Sequence, residues 1–189
     1  MTPEELQGAL KRQLNPKRAE WQKPGALVRA LRIRRGQVIA EVGSGPGYFT
    51  PRLARAVGPA GHVYAIDPEP AVLDVLRRRV KGHRNVTPVL SRDDDPMVPQ
   101  GLCDLALIVN AYHHMHGRVA FLRRLAARLP RNARVINVDW NEDTDKGPPM
   151  KRRVSRARFL RDARKAGLRL VADRAVLPHQ YFLELRRAR

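Results

Sequence analysis

Three glycines at alternate positions follow a short apolar run in the segment VIAEVGSGPGYFT, residues 38–50. A backbone without side chains lets a ligand approach closely, so glycines after a strand are typical of a nucleotide-binding turn. The spacing of Gly43, Gly45 and Gly47 differs from the dinucleotide fingerprint G-x-G-x-x-G, because bulky Tyr48 stands where the third glycine should be. The segment therefore favours an adenosine-bearing ligand other than a dinucleotide.

An acidic residue, Asp67, lies 20 residues beyond Gly47 at the end of a strand predicted over 62–66. A carboxylate at this place can accept hydrogen bonds from the two hydroxyls of a ribose. The alternative role for a lone acid at a strand end is to cap the next helix. The glycine-rich turn upstream favours the ribose role.

Two adjacent histidines occur in the stretch NAYHH, residues 110–114, directly after the fourth predicted strand. The ligand crevice of a parallel sheet lies at the carboxyl ends of its strands, so this stretch is predicted to contact the substrate. One imidazole could deprotonate a hydroxyl, a thiol or an acidic carbon, and we predict that Tyr112 and His113 govern turnover, with His114 as the alternative base. Packing of the histidines in the start of a helix is the structural alternative. A zinc site of His113, His114 and His116 is not favoured, because neither cysteine nor a well-spaced acid joins them, and we expect no metal.

Helical and strand-like patterns alternate along the chain. Strands are predicted over 38–42, 62–66, 86–90, 102–109, 134–138, 168–175 and 180–186, and helices over 3–14, 25–34, 50–57, 70–81, 118–129 and 155–166. Only four residues, 176–179, separate the last two strands, which is too few for a parallel crossover. The fold class is therefore α/β: a doubly wound, Rossmann-like, mostly parallel seven-stranded sheet with a C-terminal antiparallel hairpin.

Length and cysteine content indicate one domain and give no sign of an oxidising compartment. The chain has 189 residues, which is enough for one substantial core, and its one cysteine, Cys103, excludes an internal disulfide. The opening MTPEELQGALKRQ lacks the pattern of a signal peptide, and no apolar run reaches the ~18 residues of a membrane span. We expect a cytoplasmic protein without a membrane span.

The net charge of +19 is concentrated at the two ends of the chain. Residues 1–35 carry +6, residues 36–145 carry +2 and residues 146–189 carry +11. Cationic ends can bind the phosphates of a nucleic acid or anionic head groups. The alternative is a bias in base composition, since 30 of the 37 basic residues are arginine.

The chain resembles the class I S-adenosylmethionine-dependent methyltransferases. The resemblance rests on E-x-G-x-G-x-G after the first strand, on Asp67 after the second and on the terminal hairpin. It is also similar to small bacterial methyltransferases grouped loosely with the ubiquinone and menaquinone C-methylases, through WQKP at 21–24, NAYHH at 110–114 and HQYF at 179–182. The resemblance implies a helical cap over 1–35 and a methyltransferase domain over 36–189.

The resemblance also implies which residues hold S-adenosylmethionine, the expected cofactor. The implied cofactor-binding residues are Glu41, Gly43, Ser44, Gly45, Gly47, Asp67, Pro68, Asp93 and Asn110. Glu41 would favour the ammonium and sulfonium charges of the cofactor. The family usually has an aspartate for the adenine amino group where this chain has Arg92, so Asp93 or backbone groups would take that role.

The resulting prediction is transfer of a methyl group by in-line displacement, with the protein supplying mainly positioning and exclusion of water. The segment 141–150 and the stretch around Trp21 would form the roof of the site, and the short chain favours a small-molecule acceptor. Three alternatives stay open. They are a nucleic-acid methyltransferase that uses the basic ends, a non-catalytic module that binds S-adenosylmethionine, and a nicotinamide oxidoreductase, which Tyr48 disfavours.

Overall fold

Seven strands form one mixed sheet in the computed structural model, which describes residues 2–188. The strands are β1 Val38–Val42, β2 His62–Asp67, β3 Val86–Leu90, β4 Leu105–Val109, β5 Arg134–Trp140, β6 Leu168–Leu177 and β7 Gln180–Arg187. Their order across the sheet is β3-β2-β1-β4-β5-β7-β6. The first five strands are parallel, and β7 runs antiparallel to both β5 and β6. The predicted fold class is confirmed.

The helices that connect the strands begin at residues suited to a first turn. They are α1 Pro3–Gln13, α2 Arg18–Gln22, α3 Pro24–Ala30, α4 Thr50–Val57, α5 Pro70–Arg79, α6 Arg118–Arg128 and α7 Arg156–Lys165, with 3₁₀ turns at Tyr112–His114 and Met150–Arg152. Proline occupies the first turn of α1, α3, α4 and α5, where its missing N–H costs nothing. Ser155 caps α7 by accepting a hydrogen bond from the amide of Arg158 at 3.1 Å.

The two faces of the sheet are each covered by helices. Leu27 of α3 and Leu53 of α4 pack on one face, against β-strand residues such as Leu107. Phe121 of α6 and Phe159 of α7 pack on the other. Because the central strands are buried on both faces, they consist of nearly continuous apolar residues, as LALIV in β4 shows.

Several boundaries differ from the prediction. Strand β4 begins at Leu105 instead of residue 102, because Gly101 turns the chain with φ of 73° and Leu102 is 55% exposed. Strand β5 extends two residues past the predicted 138, since Asp139 and Trp140 still pair with β7. Helix α3 ends at residue 30 instead of 34, and α2 was not predicted.

The predicted boundary between a cap and a domain at residue 35 stays a prediction. Leu27 and Leu31, on the cap side of that boundary, are fully buried in the same cluster as Ile39 and Leu107. Helix α3 is therefore part of the core, and α1 and α2 alone form the N-terminal cap.

Candidate active site

The glycine loop, residues 43–47, joins β1 to the turn before α4 at the carboxyl edge of the sheet. The amides of Gly43 and Ser44 both donate to the carbonyl of Ile66 in β2, at 2.8 and 2.9 Å. Gly43, Gly45 and Gly47 have φ of 74°, 56° and 83°. Residues with a Cβ rarely adopt these angles, so the conformation of the loop favours glycine at all three positions.

The surroundings of the three glycines differ. A Cβ on Gly43 would overlap the Cβ of Ala111, which follows β4, and a Cβ on Gly47 would lie 2.5 Å from the side chain of Leu76. At Gly45 the nearest atom is the side-chain oxygen of Gln13 in α1, also at 2.5 Å. Gly43 and Gly47 are thus required by the packing of the protein itself. Only Gly45 faces a flexible side chain that a ligand could displace.

Glu41 lies at the end of β1 with its side chain 4% exposed in the interior. The hydroxyl of Thr50, at the start of α4, donates to its Oε2 at 2.6 Å. Burial raises the pKa of Glu41 from about 4.5 to about 8, although the bond from Thr50 and the charge of Arg18 oppose the shift. The carboxyl group is therefore poised to ionise near neutral pH when a cation approaches.

Asp67 holds the glycine loop at the end of β2. Its Oδ2 accepts from the amide of Gly45 at 2.8 Å and its Oδ1 from the amide of Glu69 at 3.1 Å. Burial raises the pKa of Asp67, and the two backbone donors counter that shift. The side chain thus lies beside the loop, as the ribose hypothesis requires, whereas the neighbouring Pro68 is exposed. The roles of both residues toward a cofactor stay predictions.

The acidic turn after β3 approaches the same edge. The amide of Ser91 donates to the carbonyl of Asp67 at 3.1 Å, which brings the turn beside the second strand. Arg92 and Asp93 are both exposed, and Asp95 is tied to α6 by an ion pair. Of these acids, Asp93 is free to move toward an adenine, and its contact with adenine stays a prediction.

Asn110 belongs to a closed ring of three side-chain amides that the sequence did not predict. Its amide nitrogen donates to Gln22 at 2.8 Å, Gln22 donates to Gln180 at 2.5 Å, and Gln180 donates back to Asn110. We call Asn110, Gln22 and Gln180 the amide ring. Asn110 has a φ of 55°, a strained value for a residue with a side chain. The amide ring ties the N-terminal cap to the ends of β4 and β7.

Arg18 fastens the N-terminal cap over the glycine loop. Its guanidinium donates to Gln22 Oε1 at 3.1 Å and to the carbonyl of Gln13 at 2.9 Å. It also lies 4.0 Å from the ring centroid of Tyr48. Burial lowers the pKa of Arg18 to about 10, with the negative charge of Glu41 among the opposing effects. Arg18 therefore holds the cap together through these hydrogen bonds, and its charge also acts on Glu41 beneath the loop.

His113 forms a buried pair with Asp139, a residue that the sequence analysis missed. The imidazole Nδ1 lies 2.8 Å from Asp139 Oδ1, and the side chains are 4% and 1% exposed. The backbone amides of His113 and Trp140 also donate to the same carboxylate, at 3.2 and 2.9 Å. Asp139 lies at the carboxyl end of β5, where a parallel sheet binds its ligands, and this position could have indicated it from the sequence.

His114 and Tyr112 lie on either side of this pair in the sequence and have different surroundings. His114 is exposed on one side and packs on the other, with its ring centroid 4.1 Å from that of His113. Partial burial, followed by the charge of His113, lowers the pKa of His114. Tyr112 is fully buried against Phe159 and donates to Asp162 at 3.1 Å. Burial, followed by the charge of Asp162, raises the pKa of Tyr112, so its hydroxyl stays protonated. A catalytic role for Tyr112 stays a prediction, and its position favours support of the histidine turn.

The predicted roof segment, 141–150, is held by one arginine. The guanidinium of Arg153 donates to four carbonyl oxygens of the roof at 2.7 to 2.9 Å, those of Asn141, Thr144, Lys146 and Pro148. Trp140 stacks on Trp21 of the N-terminal cap with ring centroids 4.9 Å apart. The cap therefore contacts the end of β5, at the residue directly before the roof segment.

Within residues 2–188, three or more histidine, cysteine, aspartate or glutamate side chains nowhere gather in a way that could hold a metal ion. None of the helices in this range is long and apolar enough to cross a membrane.

Comparison with known proteins agrees with the fold and the glycine loop. Residues 39–132, about half of the chain, match the family described as "Methyltransferase domain". Among solved structures, a SAM-dependent methyltransferase from Aquifex aeolicus superimposes with a TM-score of 0.89 at 24% identity and covers 98% of both chains. NcsB1, an O-methyltransferase from neocarzinostatin biosynthesis solved with S-adenosylhomocysteine and 1,4-dihydroxy-2-naphthoic acid, gives a TM-score of 0.78 at 16% identity over 98% of this chain and 59% of its own.

Curated relatives match a shorter part. The protein-L-isoaspartate O-methyltransferase of Ignicoccus hospitalis is 36% identical over 87 residues, which are 45% of this chain and 41% of that protein. The enzyme of the same name from Methanothrix thermoacetophila is 39% identical over 62 residues, which are 32% of this chain and 30% of that protein. This chain therefore spans less than half the length of these relatives.

The fold, the loop and the matched residues define the class: the chain is a class I methyltransferase-fold protein. Its residues 39–132 belong to the methyltransferase-domain family. The methyl donor of class I methyltransferases is S-adenosylmethionine. The narrower similarity to the ubiquinone and menaquinone C-methylases stays a prediction.

Proposed function

We propose that this protein transfers the methyl group of S-adenosylmethionine to a hydroxyl group of a small-molecule acceptor, with His113 as the base. The observation that carries the proposal is the buried pair of His113 and Asp139 at the carboxyl edge of the sheet. With the proton of the neutral imidazole on Nδ1, facing Asp139, the lone pair of Nε2 is free for the acceptor.

The glycine loop and the histidine turn are close enough to serve one reaction. Ala111 is the residue that a Cβ on Gly43 would meet, and His113 lies two residues further along the chain. Gly45 and Asp67 would hold the cofactor, because Gly45 faces the flexible side chain of Gln13 and Asp67 lies beside Gly45, whose amide donates to it. S-adenosylmethionine supplies the activated methyl group when it is bound, and the cap and the roof would exclude water.

The acceptor decides whether a base is needed. A phenolic hydroxyl has a pKa near ~10 and must lose its proton during attack, whereas a carboxyl group with a pKa near ~4 is already ionised at neutral pH. A buried His–Asp pair is therefore suited to a hydroxyl. The structural relative NcsB1, an O-methyltransferase solved with a dihydroxynaphthoic acid, supports this choice.

A protein carboxylate is the second candidate acceptor, because the curated relatives are named protein-L-isoaspartate O-methyltransferases. An acceptor of this kind would use the same cofactor site without depending on His113. The comparisons give no support to a nucleic-acid acceptor, although the charge of +19 stands unexplained by the methyl-transfer site.

The first experiment incubates the protein with methyl-labelled S-adenosylmethionine and a fractionated extract, and separates labelled small molecules from labelled protein. With a labelled acceptor in hand, His113→Ala and Asp139→Asn should each slow methyl transfer, His113→Ala by ~10²–10⁴-fold. The affinity for S-adenosylhomocysteine in calorimetry should stay unchanged. His116→Ala, an exposed histidine four residues from the start of the same turn, is the matched control.

The results separate the candidates. Wild-type rates in both His113→Ala and Asp139→Asn, on a hydroxyl acceptor, would refute the role of the pair. A label found on a protein carboxylate, with transfer indifferent to His113→Ala, would favour the isoaspartate-type activity. A folded protein that binds no S-adenosylhomocysteine would overturn the assignment of the cofactor site.

A further inference from the structure

A second concave site lies at the opposite edge of the sheet from the glycine loop. It has a volume of about 230 Å³ and is lined by Arg32, Arg34, Gln37, Arg134, Arg174, Glu184 and Arg186. We call it the arginine cavity. Gln37 precedes β1 and Arg134 opens β5, so the cavity lies at the amino-terminal ends of the parallel strands. The candidate active site lies at their carboxyl ends, which makes the two sites separate.

The cavity forms where helix α3 stops covering the sheet. Strand β7 alternates its side chains, so Phe182, Glu184 and Arg186 point to the same face. Phe182 packs with Leu27 and Leu31 of the α3 region, whereas Arg186 lies beyond the end of the helix. A strand face that is apolar under the helix therefore becomes charged where the helix ends.

Only part of the positive charge in the cavity is compensated. Glu184 is ion-paired with Arg134 at 3.8 Å and also contacts Arg174. The same two arginines donate to the carbonyls of Leu31 and Ala30, which the end of α3 leaves without helical partners. Their position is accounted for by the fold.

Three arginines in the cavity have no such partner. Across residues 2–188, the side chains of Arg32, Arg34 and Arg186 form neither an ion pair nor a hydrogen bond, and the buried Nε of Arg186 lacks an acceptor. A buried donor without an acceptor is costly unless a ligand satisfies it. Burial lowers the pKa of Arg134, and the charges of Arg186, Arg174 and Arg34 lower it further while Glu184 opposes them. Five arginines thus line the cavity together with one carboxylate, that of Glu184.

We propose that the arginine cavity binds a small phosphate-bearing anion, such as a diphosphate or a phosphomonoester. Arginine presents a planar fork of donors that matches the oxygens of phosphate, and charge-assisted bonds of this kind are the strong ones. The volume of about 230 Å³ is below the roughly 300–1,000 Å³ of pockets that enclose drug-sized ligands. The cavity therefore fits one or two phosphate groups, with the remainder of a larger ligand outside.

The test measures calorimetric binding of inorganic phosphate, pyrophosphate and glycerol 3-phosphate to the full chain, at constant ionic strength set with sodium chloride. We expect saturable binding of one pyrophosphate per chain and a higher melting temperature in its presence. Arg186→Gln and Arg34→Gln should each weaken that binding by roughly tenfold, which is the usual loss for one charge-assisted hydrogen bond. Arg34 is exposed, so its replacement serves if Arg186→Gln folds poorly.

Arg78→Gln, which removes one exposed positive charge near the end of α5, is the matched control and should bind pyrophosphate like the wild type. The affinity for S-adenosylhomocysteine should be the same with and without saturating pyrophosphate, because the sites are at opposite edges. Tighter binding of glycerol 3-phosphate than of inorganic phosphate would favour a phosphate ester over free phosphate as the ligand class. Absence of pyrophosphate binding, or an equal loss in Arg78→Gln, would overturn the proposal in favour of diffuse charge attraction.

Discussion

Replacing Glu41 by glutamine should change how the stability of the protein depends on pH. In the native state burial raises the pKa of Glu41 to about 8, whereas its ordinary value is about 4.5. Between these two values the native protein binds a proton at this residue and the unfolded chain does not. By linkage, the free energy of unfolding must fall as pH rises through this window and level off above pH 8.

The size of the effect follows from the shift. Each pH unit inside the window lowers the free energy of unfolding by about 1.4 kcal/mol. Between pH 6 and pH 9 the wild type should therefore lose about 2–3 kcal/mol of stability through the ionisation of Glu41. For a chain of this length that corresponds to roughly 4–12 °C in melting temperature. Glu41→Gln retains an oxygen that can accept the hydrogen bond from Thr50 and cannot ionise, so it should lack this part of the slope.

The assay is denaturant unfolding of the wild type and Glu41→Gln at pH 6, 7, 8 and 9, and the quantity compared is the difference between the two proteins. Other titrating groups cancel in that difference. The free energy of unfolding of Glu41→Gln should increase relative to that of the wild type as pH rises. Parallel curves from pH 6 to pH 9 would show that Glu41 is already ionised at pH 6, and they would refute the claim that burial dominates over Arg18 and Thr50.

Two further predictions concern the glycine loop and the amide ring. Both Gly43→Ala and Gly45→Ala place a side chain at a positive φ, but only the Cβ at position 43 would overlap Ala111, so Gly43→Ala should lower the melting temperature more. Gly45→Ala should weaken S-adenosylhomocysteine binding in calorimetry, because its Cβ enters the space beside the flexible side chain of Gln13. A larger loss of melting temperature in Gly45→Ala than in Gly43→Ala, or unchanged binding in Gly45→Ala, would contradict the assignment. Gln180→Leu leaves Nε2 of Gln22 and Oδ1 of Asn110 without the partners that they have in the amide ring, so it should cost about 1–3 kcal/mol in denaturant unfolding. It should also speed limited proteolysis within residues 11–18, unlike the exposed control Gln100→Leu. Equal proteolysis of the two variants would show that the amide ring does not hold the cap.

The sequence predicted those parts of the fold that depend on local pattern. Buried parallel strands are continuous apolar runs, so β1 and β4 were recognisable, and the short connection before Gln180 required an antiparallel pair. The glycine loop was recognisable because its backbone angles leave little choice of residue. Asp67 followed from its place at the end of a strand.

The contacts that complete the site could not be predicted in this way, because they join distant positions. Gln22 and Gln180 are 158 residues apart, Asn110 and Gln22 are 88 apart, and His113 and Asp139 are 26 apart. In the sequence each of these residues looks like an ordinary polar position. Only the order of the strands in the sheet brings them together. The arginine cavity is a further case, since its residues come from three separate stretches of the chain.

Arg18 links the ionisation of Glu41 to the position of the N-terminal cap. The charge of Arg18 lowers the pKa of Glu41, and the charge of Glu41 raises the pKa of Arg18, so each group favours the charged form of the other. A cation that binds beside Glu41 would act on the carboxyl group in the same direction as Arg18, and repulsion between the two cations would weaken the hold of Arg18 on the cap. The sulfonium of S-adenosylmethionine carries such a charge and the thioether of S-adenosylhomocysteine does not. If the cofactor binds with its sulfonium beside Glu41, as the sequence predicts, electrostatics would favour a looser cap with the methyl donor bound than with the demethylated product.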